Sequence, residues 1–204
     1  LIKSLLLSSL ATSPDQQIVY RDLRRHDYRE FYRRVCRLAS ALEALGVRPG
    51  DTVAMMDWDS HRYLECFFAV PMMGAVLQTV NIRLNPEQVL YTLNHARPKV
   101  ALVNSEFFDL LGVVHDRLES VESLVLISDE AMPTVAPVPM TGDYEALLAA
   151  ATPHYDFPDF DENTRATTFY TTGTTGLPKG VYFSHRQLVL HTLAETVAMA
   201  LSPQ

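Results

Sequence analysis

Residues 52–80, TVAMMDWDSHRYLECFFAVPMMGAVLQTV, hold a complete strand–helix–strand unit. Thr52 to Met56 is a short apolar run entered from the turn Val47-Arg-Pro-Gly-Asp51, and it reads as a strand. A helix is expected from about Ser60 to Met73, with Gly74 as the residue that ends it. Ala75 to Val80 then forms a second apolar strand. Two strands joined through a helical crossover pair in parallel, and both faces of such a sheet are covered, which is why these strands are apolar throughout instead of alternating.

The same alternation runs outward in both directions. Asn85-Pro86-Glu87 supplies an N-cap and a proline at the first helical position, opening a helix to about Ala96. Pro98 breaks it, Lys99 to Val103 forms a strand, Ser105 caps a helix to about Leu118, and Ser123 to Ile127 forms the next strand. The proline-rich stretch from Pro133 to Pro158 reads as loop, interrupted by a short helix over 143–150. Towards the amino end, Ile18 to Tyr20 reads as a short strand followed by a polar turn. Asp27 with Glu30 three residues later marks a capping-box-like helix start. Behind it Tyr28, Phe31, Val35, Leu38, Leu42 and Leu45 recur at steps of three and four, one apolar stripe that Gly46 stops. Ile2, Leu5, Leu6 and Leu10 have the spacing of a short amphipathic helix. Ser8 and Ser9 break the apolar run that a signal peptide needs. The fold class is therefore α/β, a mostly parallel sheet built from βαβ units. Sheets of this kind bind ligands beyond the carboxyl ends of their strands, so function is sought on a loop that follows a strand.

Composition narrows the class further. With 204 residues, 48% hydrophobic and 20% charged, the chain can bury a sizeable core and is neither disordered nor fibrous. A net charge of -7 argues against general nucleic-acid binding. Seven arginines (21, 24, 25, 29, 33, 34 and 37) crowd the first helix region, but Asp22, Asp27 and Glu30 interleave them, and a solvated helix face is expected. Two cysteines, Cys36 and Cys66, make neither a disulfide framework nor a zinc site and suit a reducing, cytoplasmic compartment. No stretch approaches the roughly 18 apolar residues of a transmembrane helix.

The loop that carries chemistry lies in residues 166–185, ATTFYTTGTTGLPKGVYFSH. Strand-like ATTFY leads in and VYF leads out. Between them glycines let backbone N–H groups converge on an anion, threonine hydroxyls add donors, Pro178 stiffens the turn and Lys179 supplies a mobile positive charge. A triphosphate is the natural occupant. The mononucleotide P-loop, G-x-x-x-x-G-K-[ST], fails here at the spacing and at the hydroxyl after the lysine, where Gly180 stands. A ligand-free surface turn is the plain alternative. G-T-T-G-x-P-K-G, however, arises by chance on the order of once in a hundred million starting positions.

Tyr170-Thr-Thr-Gly-Thr-Thr-Gly-Leu-Pro-Lys-Gly-Val181 resembles the phosphate-binding signature of the adenylate-forming superfamily, which includes acyl-CoA synthetases, luciferases and peptide-synthetase adenylation domains. Ile18-Val-Tyr, the helix end at 38–47, Pro-Gly-Asp (49–51), Gly74-Ala-Val, Asn81-Ile-Arg-Leu and Ser184-His185 are also similar to that family's large N-terminal domain. The Gly-Thr-Thr-Gly form and the Asn-x-Arg-Leu segment lean towards acyl-CoA synthetases acting on fatty or related carboxylic acids. The resemblance implies adenylation of the acid by magnesium-ATP, then transfer of the acyl group to coenzyme A. It implies that Thr171, Thr172, Gly173, Thr174, Thr175 and Gly176 cradle the β- and γ-phosphates, with Leu177, Pro178 and Gly180 completing the cofactor loop. Lys179 and Thr175 take the catalytic roles, Lys179 following the departing pyrophosphate, and Thr172, Thr175 and Lys179 carry the largest effects. The implied partners are a carboxylic acid, ATP, Mg2+ and coenzyme A, with a homodimer among the assemblies allowed. Luciferase-like or amino-acid-adenylating activity, or a non-catalytic nucleotide-binding module, are the alternatives.

The resemblance also sets a boundary. Residues 1–165 form the α/β body, 166–185 the phosphate loop with its strands, and 185–204 a following helix. The family's acidic magnesium residue, ribose-binding aspartate, adenine-stacking segment, hinge and C-terminal lysine have no counterpart in the chain. The chain opens on Leu1, not Met, and is expected to be an N-terminal fragment that does not turn over alone. The seven histidines show neither H-x-x-x-H nor H-E-x-x-H spacing, so no metal site is expected. Capping and packing are expected near Ser184-His185, and a solvated linker at Asp156, Asp159, Asp161 and Glu162. Trp58 is expected on a rim, and Met55, Met56, Met72 and Met73 in the core.

Overall fold

The computed structural model describes residues 1–129, 136–172 and 176–201. Its elements in chain order are α1 (Lys3–Thr12), β1 (Gln17–Tyr20), β2 (Arg24–Asp27), α2 (Tyr28–Ala44), β3 (Thr52–Met56), α3 (His61–Met72), β4 (Val76–Thr79), α4 (Pro86–Ala96) and β5 (Pro98–Asn104). They continue with α5 (Phe108–Val114), β6 (Ser123–Ile127), β7 (Gly142–Asp143), α6 (Tyr144–Ala150), β8 (Arg165–Thr171), β9 (Lys179–Ser184) and α7 (His185–Leu201). Seven strands make one sheet in the order β7-β6-β5-β3-β4-β8-β9, and β8–β9 alone is antiparallel. The mostly parallel α/β fold is as the βαβ pattern requires.

The sheet is buried on both faces, and the pleat divides its residues between two cores. Val53 and Met55, with Leu77 and Leu102, join a core that includes Phe31, Val35, Leu38 and Leu42 of α2. Ala54 and Met56, with Ala101 and Val103, face Val89 and Leu93 of α4 and Leu111 of α5. All four core methionines are buried, as are both cysteines, which carry free thiols whose pKa burial raises. Local signals set the helix ends. Asp27 Oδ1 accepts the Glu30 N–H at 2.7 Å, Asn85 caps α4 through Gln88, and Ser60 caps α3 through Tyr63. Gly74 sits at φ +85°, and a Cβ there would stand 3.2 Å from Pro49, so both backbone and space require glycine.

Four features depart from expectation. The polar turn after β1 contains β2, which pairs antiparallel with β1. The helix expected over 105–118 is broken into a 3-10 turn at Ser105–Phe107, α5, and a second 3-10 turn at His115–Arg117, and Asn104 is the cap in place of Ser105. Gly112 and the adjacent valines weaken a continuous helix there. Two-residue β7 joins β6 in parallel, too short to leave a pattern. Finally, the arginine-rich face of α2 is not simply solvated. Arg29 and Arg33 make exposed ion pairs, but Arg34 turns inward to Glu65 and Glu145, and Arg37 donates to the Leu148 and Ala151 carbonyls of the α6 end.

Candidate functional site

β8 and β9 form the hairpin that presents the glycine–threonine loop. Tyr170 lies opposite Gly180 and Thr171 opposite Lys179, and Thr168 Oγ1 donates to the Val181 carbonyl at 3.1 Å. On its other side β8 pairs in parallel with β4, through Leu77–Thr167 and Gln78–Thr168. The described ends of the connecting loop, Thr171–Thr172 and Gly176–Pro178, therefore lie beyond the carboxyl ends of β4 and β8, the edge where a parallel sheet binds ligands. Tyr170 fixes the hairpin to α4, its hydroxyl 2.7 Å from His95 Nδ1.

Thr171, Thr172, Gly176, Leu177, Lys179 and Gly180 are exposed, while Pro178 is buried at the base of the turn. Gly173, Thr174 and Thr175 lie outside the described residues. Gly176 has φ +107° with nothing within 4 Å of a Cβ, so glycine is needed there for its backbone and not for space. Lys179 is the one cation of residues 166–185, and no Asp or Glu stands among them. An exposed turn of hydroxyls and small residues with one lysine and no competing acid suits a polyphosphate.

Below the hairpin, Ser184 and Gln187 form a reciprocal cap for α7. The Ser184 N–H donates to Gln187 Oε1 at 2.9 Å, and the Gln187 N–H donates to Ser184 Oγ at 3.3 Å. His185 is fully buried against the Phe160 ring, and its Nδ1 accepts the Ile2 N–H at 3.2 Å. Burial pushes its pKa down to about 4. A neutral, enclosed imidazole packs and does not transfer protons to a ligand, as expected for this position.

A second concavity opens at the carboxyl ends of β3 and β4, about 300 Å3 in volume and bordered by Asp57, Trp58, Tyr63, Asn81 and Arg83. Asp57 is 5% exposed and accepts from Asn104 Nδ2 at 2.6 Å and Ser60 Oγ at 2.5 Å. Burial raises its pKa, and these hydrogen bonds oppose the rise. Trp58 stands on the rim, its indole N–H donating to Glu106 at 2.7 Å. The acidic stretch 156–162 is the expected solvated linker, tied to its surroundings by Lys3–Asp159 and Arg186–Glu162 pairs.

A buried charge cluster between α2, α3 and α6 was not foreseen. Arg34 makes bidentate pairs with both Glu65 and Glu145, Tyr144 donates to Glu65, and Arg62 donates to Glu145, Asp129 and the Ser128 carbonyl. Burial works against the Glu145 carboxylate, yet the Arg34 and Arg62 guanidiniums hold its pKa well below the ordinary range. Next to it, His26, His61 and Glu65 each offer a ligand atom, all within 4.8 Å of one another. Histidine-to-histidine spacing does not reveal this group: His61-x-x-x-Glu65 places two of the side chains on one face of α3, and His26 comes from β2.

Residues 7–203 match the family model described as AMP-binding enzyme. The chain belongs to that family. It is 42% identical over 176 residues to a long-chain-fatty-acid–CoA ligase of Thermus thermophilus, covering 86% of this chain and 31% of the relative. It is 39% identical over 178 residues to a medium-chain-fatty-acid–CoA ligase of Ectopseudomonas oleovorans, covering 87% of this chain and 32% of that one. A 3-methylmercaptopropionyl-CoA ligase of Ruegeria lacuscaerulensis is 38% identical over 158 residues, covering 78% of this chain and 29% of the relative. This AMP-binding chain thus spans about a third of the length of the relatives it matches. In fold it resembles the anthranilate CoA ligase AuaEII in complex with anthranoyl-AMP, with TM-score 0.85 and 23% identity over 93% of this chain and 36% of that one. ATP-bound MatB from Rhodopseudomonas palustris gives TM-score 0.76 and 22% identity over 93% and 36%. Among the described residues no helix is long and apolar enough to cross a membrane.

Proposed function

We propose that this AMP-binding chain is the phosphate-gripping part of an ATP-dependent acyl-CoA synthetase acting on a fatty or related carboxylic acid. The observation that carries the reading is the β8–β9 hairpin, whose exposed Thr171, Thr172, Gly176 and Lys179 lie beyond the carboxyl end of β4, with Lys179 as the one cation of residues 166–185. In the proposed first step a carboxylate oxygen of the substrate attacks the α-phosphorus of ATP. The bond from that phosphorus to the bridging oxygen breaks, releasing pyrophosphate and leaving an acyl-adenylate. In the second, the coenzyme A sulfur attacks the acyl carbon, loses its proton and displaces AMP.

The protein's task in the first step is to neutralise charge that builds on the leaving pyrophosphate. Thr171, Thr172, Gly173, Thr174, Thr175 and Gly176 would hold the β- and γ-phosphates through hydroxyls and backbone N–H groups. Lys179, an exposed point charge on a flexible stem, would follow the pyrophosphate as it departs. The hairpin has no carboxylate and offers Mg2+ only neutral oxygens, so the ion would be carried mainly by the phosphates. The names of the relatives, all CoA ligases, support coenzyme A as acceptor and a carboxylic acid as substrate. A cytoplasmic location agrees with two free, buried thiols.

The test is ATP–pyrophosphate exchange with magnesium and a panel of fatty, aromatic and amino acids, run on this chain and on the product extended along its reading frame. Exchange is expected in the extended product with fatty acids, and to fall by roughly a hundredfold in Lys179→Ala. Exchange with amino acids alone would move the assignment to amino-acid adenylation. Exchange in neither product would end the adenylation reading.

A further inference from the structure

We infer that His26, His61 and Glu65 form a binding site for a divalent transition-metal ion, zinc by ligand type, which ties the β1–β2 hairpin to α3. The inference is independent of the phosphate hairpin and its proposed function.

The first observation is geometric. One ligand atom from each residue lies within 4.8 Å of the others, and the two imidazole rings stand 5.7 Å apart. Donors around a tetrahedral zinc are separated by about 3.4 Å, so a contraction of up to about 1.4 Å, made by side-chain rotation, closes the set. The second is the state of the rings. His61 is 3% exposed, and among the described residues neither of its ring nitrogens has a hydrogen-bond partner, nor does His26 Nε2. Glu145 Oε1 stands 3.6 Å from His61 Nε2, too far for a good hydrogen bond. Orphaned buried nitrogens are costly, and a metal ion would satisfy one on each ring.

The third observation is the support around Glu65. Arg34 and Tyr144 fix its carboxylate, with two bonds to Oε2 and one to Oε1. Each carboxylate oxygen can accept two, so Oε1 keeps a lone pair for a cation, already oriented by its neighbours in the manner of ligands in metal sites. Charge is compatible too. Arg34 and Arg62 face Glu65, Glu145 and Asp129, leaving the cluster one negative charge in excess when both histidines are neutral. Two imidazoles and a carboxylate suit zinc or cobalt, whereas calcium and magnesium prefer oxygen donors.

The test is titration of the chelator-stripped chain with Zn2+ in competition with a chromogenic chelator, with Co2+ as a spectroscopic probe. One zinc per chain is expected, a visible Co2+ spectrum of low-coordinate nitrogen–oxygen type, and roughly tenfold or weaker binding in His26→Gln and in His61→Gln. His154→Asn, which removes an exposed histidine paired with Asp156, should change nothing. Absence of binding, an affinity in both histidine variants unchanged from that of the unsubstituted chain, or loss of binding in His154→Asn would each overturn the site. If His61→Gln does not fold by circular dichroism, the His26→Gln affinity and the Co2+ spectrum of the unsubstituted chain decide the matter.

Discussion

At the scale of single residues, backbone and protonation make definite demands. Gly176 stands at φ +107°, where an L side chain is strained by about 1–2 kcal/mol even in open space. Gly176→Ala should therefore loosen the β8–β9 hairpin without unfolding the body, and hydrogen exchange at Thr168 to Tyr170 should quicken roughly tenfold while the β3 and β5 amides stay protected. His185 sets a pH limit. Its pKa falls from an unfolded value of 6.5 to about 4, so between these values the unfolded chain binds more protons. Stability should be undiminished above pH 6.5 and fall as pH drops towards 4, by up to about 3 kcal/mol. His185→Gln should flatten that part of a denaturation-versus-pH curve.

At the scale of elements, caps and ion pairs separate by burial. Ser184→Ala removes half of the reciprocal cap on α7 and should cost about 1 kcal/mol, a fall in Tm of about 2–4 °C. Arg34→Met leaves the fully buried Glu65 facing an apolar side chain and should cost about 3–5 kcal/mol in urea unfolding. Arg29→Met breaks an exposed pair with Asp15 and should cost less than about 1 kcal/mol. All three arginine-and-cap sites lie in plain view in the sequence, but with different legibility. Ser184-x-x-Gln187 and Asp27-x-x-Glu30 act on their own helix turn, so local sequence suffices. Arg29 and Arg34 look alike on one helix, and their difference comes from Glu65 and Glu145, which lie far along the chain. β7 escaped for a related reason: its hydrogen bonds are made with β6, a partner that a two-residue pattern does not name.

At the scale of the whole molecule, the exposed surface has a consequence for solution behaviour. α7 beyond Val189 is exposed all round, although Leu190, Leu193 and Val197 form an apolar stripe along it, and Tyr182 and Phe183 of the edge strand β9 are exposed nearby in sequence. A helix of that character is normally covered, and an unpaired apolar edge strand invites association. The chain should self-associate at micromolar concentration, and Leu193→Glu with Val197→Glu should shift it towards monomer in sedimentation velocity.

The sequence by itself determined the parallel α/β fold, because apolar runs separated by capped helices leave few ways to bury both sheet faces. It also determined the phosphate-loop candidate, because a glycine- and threonine-dense turn with one lysine is a contiguous signal that needs no partner elsewhere. Only the tertiary structure decided which side of the sheet that loop serves, through the pairing of β8 beside β4. Only it decided that Arg34 is enclosed while Arg29 is not, and that His26 meets His61 and Glu65. Those contacts join residues distant in the chain, and the packing of helices across the sheet sets them where no local periodicity can.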